Sequence, residues 1–104
     1  MIRQFDVFAN LSRSGRADRP FIIVVQSGFL EHLQTRVCAP LVITDALQPV
    51  ARLHPMLHVQ HQTLYFSPTE LVTIPTRILR QPVANLKHER DKLIAALDLV
   101  FTGI

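Results

Sequence analysis

Apolar positions in this chain fall into short runs broken by Pro, Gly and polar clusters, with one longer helical period at the end. Ile2 to Phe8 mixes charged and polar residues among apolar ones, the pattern of a half-buried strand. Ala9 to Pro20 is rich in Ser, Gly, Asp and Arg and predicts a flexible loop. Phe21-Ile22-Ile23-Val24-Val25 is an unbroken, largely β-branched run, which predicts a strand buried on both faces. Ser27-Gly28 interrupts it. Thr35 to Ile43 resumes as strand, in which Pro40 demands an edge position or a bulge. Asp45 to Leu53 predicts a short helix or irregular segment, with Thr44 placed to cap it and Pro49 limiting its length.

Met56-Leu57-His58-Val59 and Thr63-Leu64-Tyr65-Phe66 predict a hairpin across Gln60-His61-Gln62. Ser67 to Glu70 turns the chain, and Leu71 to Leu79 is a further extended segment interrupted at Pro75. The last element is a helix from about Asn85 to Phe101. Leu86, Arg90, Leu93, Ile94, Leu97, Val100 and Phe101 share one of its faces at spacings of three and four. Lys87, Asp91, Lys92 and Asp98 occupy the other. At about 1.5 Å per residue it spans roughly 25 Å, enough to cross a small sheet. The expected architecture is a mainly β domain closed by one long C-terminal helix.

Composition narrows the class. At 104 residues the chain is expected to form one domain around one core. An apolar fraction of 48% against 18% charged fits a folded protein rather than a disordered one. No run approaches the roughly 18 apolar residues of a membrane span. Met1 to Asp6 shows no apolar run behind a basic start, so no signal peptide is expected. The lone Cys38 can form no internal disulfide, which fits a reducing cytoplasm. The formal charge of +3 favours an acidic partner without indicating nucleic acid.

Candidate chemistry is sparse. His54, His58 and His61 are the closest histidines, but an extended chain puts His61 on the opposite face from the other two. No Cys or carboxylate pair nearby completes a tetrahedral set, so no metal or other cofactor is predicted. Ser27-Gly28 is not a nucleophile elbow, and Cys38 has no activating neighbour in sequence. With three glycines there is no phosphate loop. An RNA-cleaving site would have to be assembled from scattered Arg, His and Asp side chains, and no motif singles one out. No catalytic residue is therefore predicted.

Two apolar features stand apart. Phe29-Leu30 follows the Ser27-Gly28 break, where a turn exposes it, and the chain closes on an apolar tip at Gly103-Ile104. Together they predict a contiguous binding patch. The basic loop carrying Arg13, Arg16 and Arg19 predicts a landing site for an acidic, disordered partner.

Several segments resemble the CcdB family of toxins that poison DNA gyrase. Val24-Val25-Gln26-Ser27 is similar to the family's apolar strand closing in Val-Gln-Ser, and Thr35-Arg36-Val37-Cys38-Ala39-Pro40-Leu41 to its Arg-x-Val-Ile-Pro-Leu strand. Leu53-His54-Pro55-Met56-Leu57-His58-Val59 resembles its Leu-x-Pro-x-x-His-Ile segment, and Val72-Thr73-Ile74-Pro75-Thr76 its Ala-Ser-Val-Pro-Val stretch. Pro82-Val83-Ala84-Asn85-Leu86 leads into the closing helix, which ends in the family's Gly-Ile at Gly103-Ile104. The segments keep family order and spacing over nearly the whole chain.

This resemblance implies a small antiparallel β-barrel of the CcdB/MazF/Kid type with a C-terminal helix, assembled as a homodimer and lacking catalysis of its own. It implies that the dimer binds the DNA gyrase A subunit and traps the covalent gyrase–DNA cleavage complex. A CcdA-like antitoxin with a disordered segment would neutralise it, and the pair would co-repress their operon, touching operator DNA through the antitoxin. The family's gyrase-contacting tail maps onto Thr102, Gly103 and Ile104, with Asp98 one turn earlier, and its exposed apolar pair onto Phe29 and Leu30. The best-known family member has Trp at the position of Thr102. Thr cannot supply the cation–π contact of that Trp, worth about 0.5–2 kcal/mol. Lys87 stands where the family often has a capping Ser, a role that then falls to Asn85. The alternatives are a MazF-like endoribonuclease on the same barrel, or a degenerate dimer that only co-represses.

Overall fold

The computed structural model describes residues 1–103, and Ile104 lies outside the described residues. Seven strands form one antiparallel sheet, nearly closed into a barrel: β1 (Asp6–Ala9), β2 (Phe21–Val24), β3 (Thr35–Ile43), β4 (Met56–Val59), β5 (Gln62–Phe66), β6 (Val72–Pro75) and β7 (Ala84–Asn85). One helix, α1 (Arg90–Phe101), follows. The sheet order is β4-β5-β3-β2-β1-β7, with β6 also pairing β3. The mainly β barrel with a C-terminal helix expected from the sequence is the fold observed.

The β-branched run 21–25 is buried on both faces, and its alternation sorts two cores. Phe21, Ile23 and Val25 point into the larger one with Val7, Leu41, Leu64, Phe66 and, from α1, Leu93 and Ala96. Ile22 and Val24 point the other way, into a smaller cluster with Phe8, Cys38 and Leu79. The register Phe21↔Leu41, Ile22↔Pro40, Ile23↔Ala39 keeps each set on its own side, since a slip of one residue would exchange them.

Pro40 corrects the expectation of an edge or bulge. It sits within β3, which pairs β2 on one side. On the other side β6 ends its pairing at Cys38, and β5 begins at Leu41. The Pro40 carbonyl turns to that side and accepts from Ser67 N at 3.1 Å. In an extended residue N and O point the same way, so the missing N–H falls in the gap between two flanking strands and costs no ladder bond.

Other boundaries moved for local reasons. The β4–β5 loop is two residues, Gln60 (φ 49) and His61 (φ 67), both left-handed as a type I′ turn requires. The helix begins at Arg90 rather than Asn85, because Ala84 and Asn85 are drawn into the sheet as β7 against Val7 and Asp6. A 3-10 turn, Lys87–Glu89, joins the two; Asn85 Oδ1 accepts from Lys87 N at 2.9 Å, but Asn85 lies in β7 and the cap positions, Leu86 for the turn and Glu89 for α1, make no side-chain capping bond. Arg90 and Phe101, which share a face with Leu93 and Leu97 by spacing, are both exposed. Asp45 to Leu53 contains only the 3-10 turn Thr44–Ala46 at its start, and Leu71 to Leu79 is the short β6 followed by a 3-10 turn, Thr76–Ile78.

The segment 9–20 is better anchored than a flexible loop. Asn10 Nδ2 donates to Arg19 O at 2.8 Å, and Arg16 N and Arg19 N donate to Ser12 O and Gly15 O. Arg19 makes a bidentate pair with Glu70, Nε–Oε1 at 2.8 Å and Nη2–Oε2 at 3.0 Å, while Ser67 Oγ donates to Oε2 at 2.6 Å. The Arg19 bond, aided by Ser67, holds the Glu70 carboxyl below its ordinary range despite partial burial.

Two expectations follow. Leu64 is fully buried and paired with Leu57 and Ile43, so Leu64→Ala should cost about 2–5 kcal/mol in a urea titration. A lowered folded pKa means that Glu70 stabilises above its unfolded value near ~4.3 and loses that contribution as pH falls through the folded value. Glu70→Gln should therefore flatten the acid limb of the stability profile from about pH 5 downward. Solvent screening keeps the change below about 1 kcal/mol, because both partners are about a third exposed.

Candidate functional site

The first candidate feature is the β2–β3 connection. Ser27 Oγ accepts from Phe29 N at 3.1 Å, and Leu30 N and Glu31 N donate to Ser27 O and Gly28 O, closing a 3-10 turn over Gly28–Leu30. This geometry lifts the ring of Phe29 into solvent at 89% exposure, with Leu30 at 40% and Leu33 at 42% beside it in sequence. Phe29 and Leu30 are thus exposed as predicted, and Leu33 extends the apolar set. Gly28 has open space where a Cβ would sit and no left-handed φ, so the turn does not depend on glycine there.

The second feature is the end of α1. The carbonyl of Asp98 accepts from Thr102 N at 2.8 Å, from Thr102 Oγ1 at 2.7 Å and from Gly103 N at 3.1 Å. Gly103 is left-handed at φ 72, the conformation that ends helices at least cost in glycine. Asp98, Thr102 and Gly103 are all exposed, and Phe101 adds an apolar ring at 67% exposure. The Thr102 hydroxyl is turned onto its own helix rather than outward. The predicted contact residues Asp98, Thr102 and Gly103 are therefore brought together through one carbonyl, and Ile104 lies outside the described residues. Each feature is held by its own element, the turn by β2 and β3 and the tip by α1.

The third is the basic loop. Arg13 and Arg16 are exposed, whereas Arg19 is committed to Glu70. Against this loop lies a groove of about 410 Å³ whose lining includes Leu11, Ile22, Pro40, Val72, Ile74 and Ile78. Arg77 and Arg80, both exposed, flank its Ile78–Leu79 wall in sequence. The groove escaped the sequence reading because its walls come from five separate segments. Only the apolar i, i+2 pair Val72 and Ile74 hinted at it.

The Cys38 thiol is not primed for nucleophilic attack. Burial pushes the Cys38 thiol up to about 12, with nearby Arg36 opposing only weakly. His54 Nδ1 accepts from Val50 N at 2.9 Å and His58 Nδ1 lies 3.2 Å from Thr63 Oγ1. Among the described residues no cluster of three His, Cys, Asp or Glu could hold a metal ion. Among the described residues the surface offers apolar display at two places and a cationic rim at a third.

A family model described as CcdB protein matches residues 4–103, nearly the whole chain, so the protein belongs to the CcdB family, toxins of toxin–antitoxin systems.

Proposed function

We propose that this toxin acts by binding, as a homodimer, to the DNA gyrase A subunit and trapping the gyrase–DNA cleavage complex. The observation that carries this reading is the α1 tip, where Thr102 and Gly103 are solvent-exposed yet held by the Asp98 carbonyl, with the exposed ring of Phe101 beside them. An apolar ring beside a hydrogen-bonded helix end is a pre-formed anchor, which binds with little ordering cost. Phe29 and Leu30 supply a second apolar contact. Trapping needs no chemistry from the toxin. A ligand that binds the open, cleaved state of gyrase better than the closed one shifts the population toward it.

Neutralisation belongs to the basic loop. Arg13 and Arg16, the Arg19–Glu70 pair, and the groove beside them suit an extended acidic segment carrying aliphatic side chains, as a CcdA-like antitoxin would present. The same pair would co-repress their operon, with the antitoxin contacting DNA.

A DNA cleavage assay with gyrase and ATP tests the reading, run on the intact protein and on a version lacking Gly103 and Ile104. The intact chain should yield linear DNA covalently held by gyrase, and the truncated chain none, while its stability in a urea titration stays within about 1 kcal/mol of the parent because Thr102 and Gly103 are exposed. Truncation that unfolds the protein would make the tail part of the core. A folded, intact protein that traps no DNA would move the co-repressor and endoribonuclease readings ahead. In the same assay Phe29→Ser should raise the half-effective concentration about tenfold, the loss of one buried aromatic contact.

A further inference from the structure

Every residue from Ser27 to Thr35 is exposed. A stretch of nine residues with no fully buried side chain, its best-covered leucines still 40% and 42% exposed, has little hydrophobic reason to keep one shape, and such segments normally sit at the low end of local stability. This one nevertheless keeps four hydrogen bonds from its backbone amides to itself or its start, three of them to carbonyls: Phe29 N to Ser27 Oγ, Leu30 N to Ser27 O, Glu31 N to Gly28 O and Leu33 N to Leu30 O. Something outside the turn must hold it.

The two residues flanking it do so. Arg36, the second residue of β3, is 6% exposed. Its guanidinium Nη1 donates to Leu33 O at 2.7 Å and Thr35 O at 3.0 Å, and Nη2 donates to Glu31 O at 3.0 Å. Gln26, just after β2, donates from Nε2 to Leu30 O at 3.3 Å and Thr35 O at 3.2 Å, and its Oε1 accepts from Val37 N at 3.0 Å. Both side chains thus spend their donors on carbonyls of the turn and its exit.

Arg36 is the more telling of the two. Among the described residues no carboxylate lies within ion-pair distance of it. A buried cation without a counter-charge is a poor choice for stability alone, since an apolar residue of similar volume avoids the desolvation penalty. Its strand neighbours suit an apolar residue: Arg36 faces Ile74 on β6, and Cys38 two residues on is fully buried. The planar fork of Arg, with five donors fixed in direction, is what can gather several carbonyls of an irregular loop at once.

We propose that Arg36 and Gln26 are positioning residues that pre-form the 27–34 turn, so that Phe29, with Leu30 and Leu33, meets its partner as a rigid apolar anchor. The inference rests on the gyrase reading for the identity of that partner. Without the clamp the turn would have to be ordered at the moment of binding, and the affinity of Phe29 would fall by that amount.

The test uses the full chain, purified gyrase A subunit, and two readouts. Arg36→Met should raise the Kd for gyrase A by about ten- to a hundredfold, through loss of the ordered turn. It should also speed hydrogen exchange at the amides of Phe29, Leu30, Glu31 and Leu33 by tenfold or more, with the amides of β4 and β5 unchanged. Arg36→Lys, which keeps the charge but not the fork, should recover only part of both. Leu64→Val is the control for a merely structural role, because it lowers stability without loosening the turn selectively. If Arg36→Met folds poorly, Gln26→Met tests the same clamp from the other side. Unchanged exchange in the turn, or unchanged affinity with a loosened turn, would overturn the proposal. If the parent protein itself fails to bind gyrase A, the partner reading falls, and exchange alone then decides whether the clamp holds the turn.

Discussion

The nine residues of β3 are what the rest of the molecule hangs on. Thr35 to Cys38 pair with β6, Cys38 to Leu41 with β2, and Leu41 to Ile43 with β5, so one strand joins three others in staggered register. At Cys38 the chain is flanked on both sides, by Val24 and by Val72. Backbone groups in that position have no access to water and must be paired, which makes the local register obligatory. Where β6 gives way to β5 the ladder has a gap, and Pro40 fills it. Any other residue there would bring an N–H needing a partner. The strand therefore sets where the β2–β3 turn emerges, where β6 lies beside the groove, and which face receives α1.

The sheet packs on both faces, yet the two faces differ in completeness. The inner one is closed by Leu86, Leu93 and Ala96 beside the strands. The outer one is covered by little more than Ile2, Ile74 and Leu79, and the groove by the basic loop remains open next to it. Polar groups are not left over from this packing. Asp6 is 6% exposed, and its carboxylate accepts from Arg3 N and Asn85 Nδ2. No buried side-chain nitrogen or oxygen among the described residues lacks a partner. The molecule meets the demands of burial fully while leaving Phe29, Phe101, Val72 and Ile78 in solvent.

Much of this was legible from residue pattern. The run Phe21 to Val25, the two halves of the β4–β5 hairpin and the amphipathic end of the chain announced themselves through periodicity, and the Ser-Gly break correctly placed Phe29 outside. The failures have physical causes. A type I′ turn made of Gln60 and His61 lacks the Asn-Gly or Gly-Gly signal, because neighbouring strands impose the left-handed φ against local preference. The late start of α1 reflects tertiary pairing of Ala84 and Asn85, which outweighs helix propensity. Arg36 was visible only as part of a family-like segment, since nothing local says that an arginine in a strand will be buried. The Arg19–Glu70 pair joins residues 51 apart in sequence, beyond the reach of any local pattern.

The division between core and display has a consequence for how this surface can change. Side chains that fill the two cores are distinct from those that face outward, so Phe29, Phe101 or Thr102 can be exchanged with little disturbance to folding. At Thr102 the exposed side chain turns its hydroxyl onto the Asp98 carbonyl. At Gln26 and Arg36 the separation ends. Each is tied to the β-ladder by its backbone and to the exposed turn by its side chain, so folding and presentation are coupled there. The exposed side chains of the tip can therefore be exchanged while those of the clamp behind the turn cannot, because the clamp answers to carbonyls of this chain.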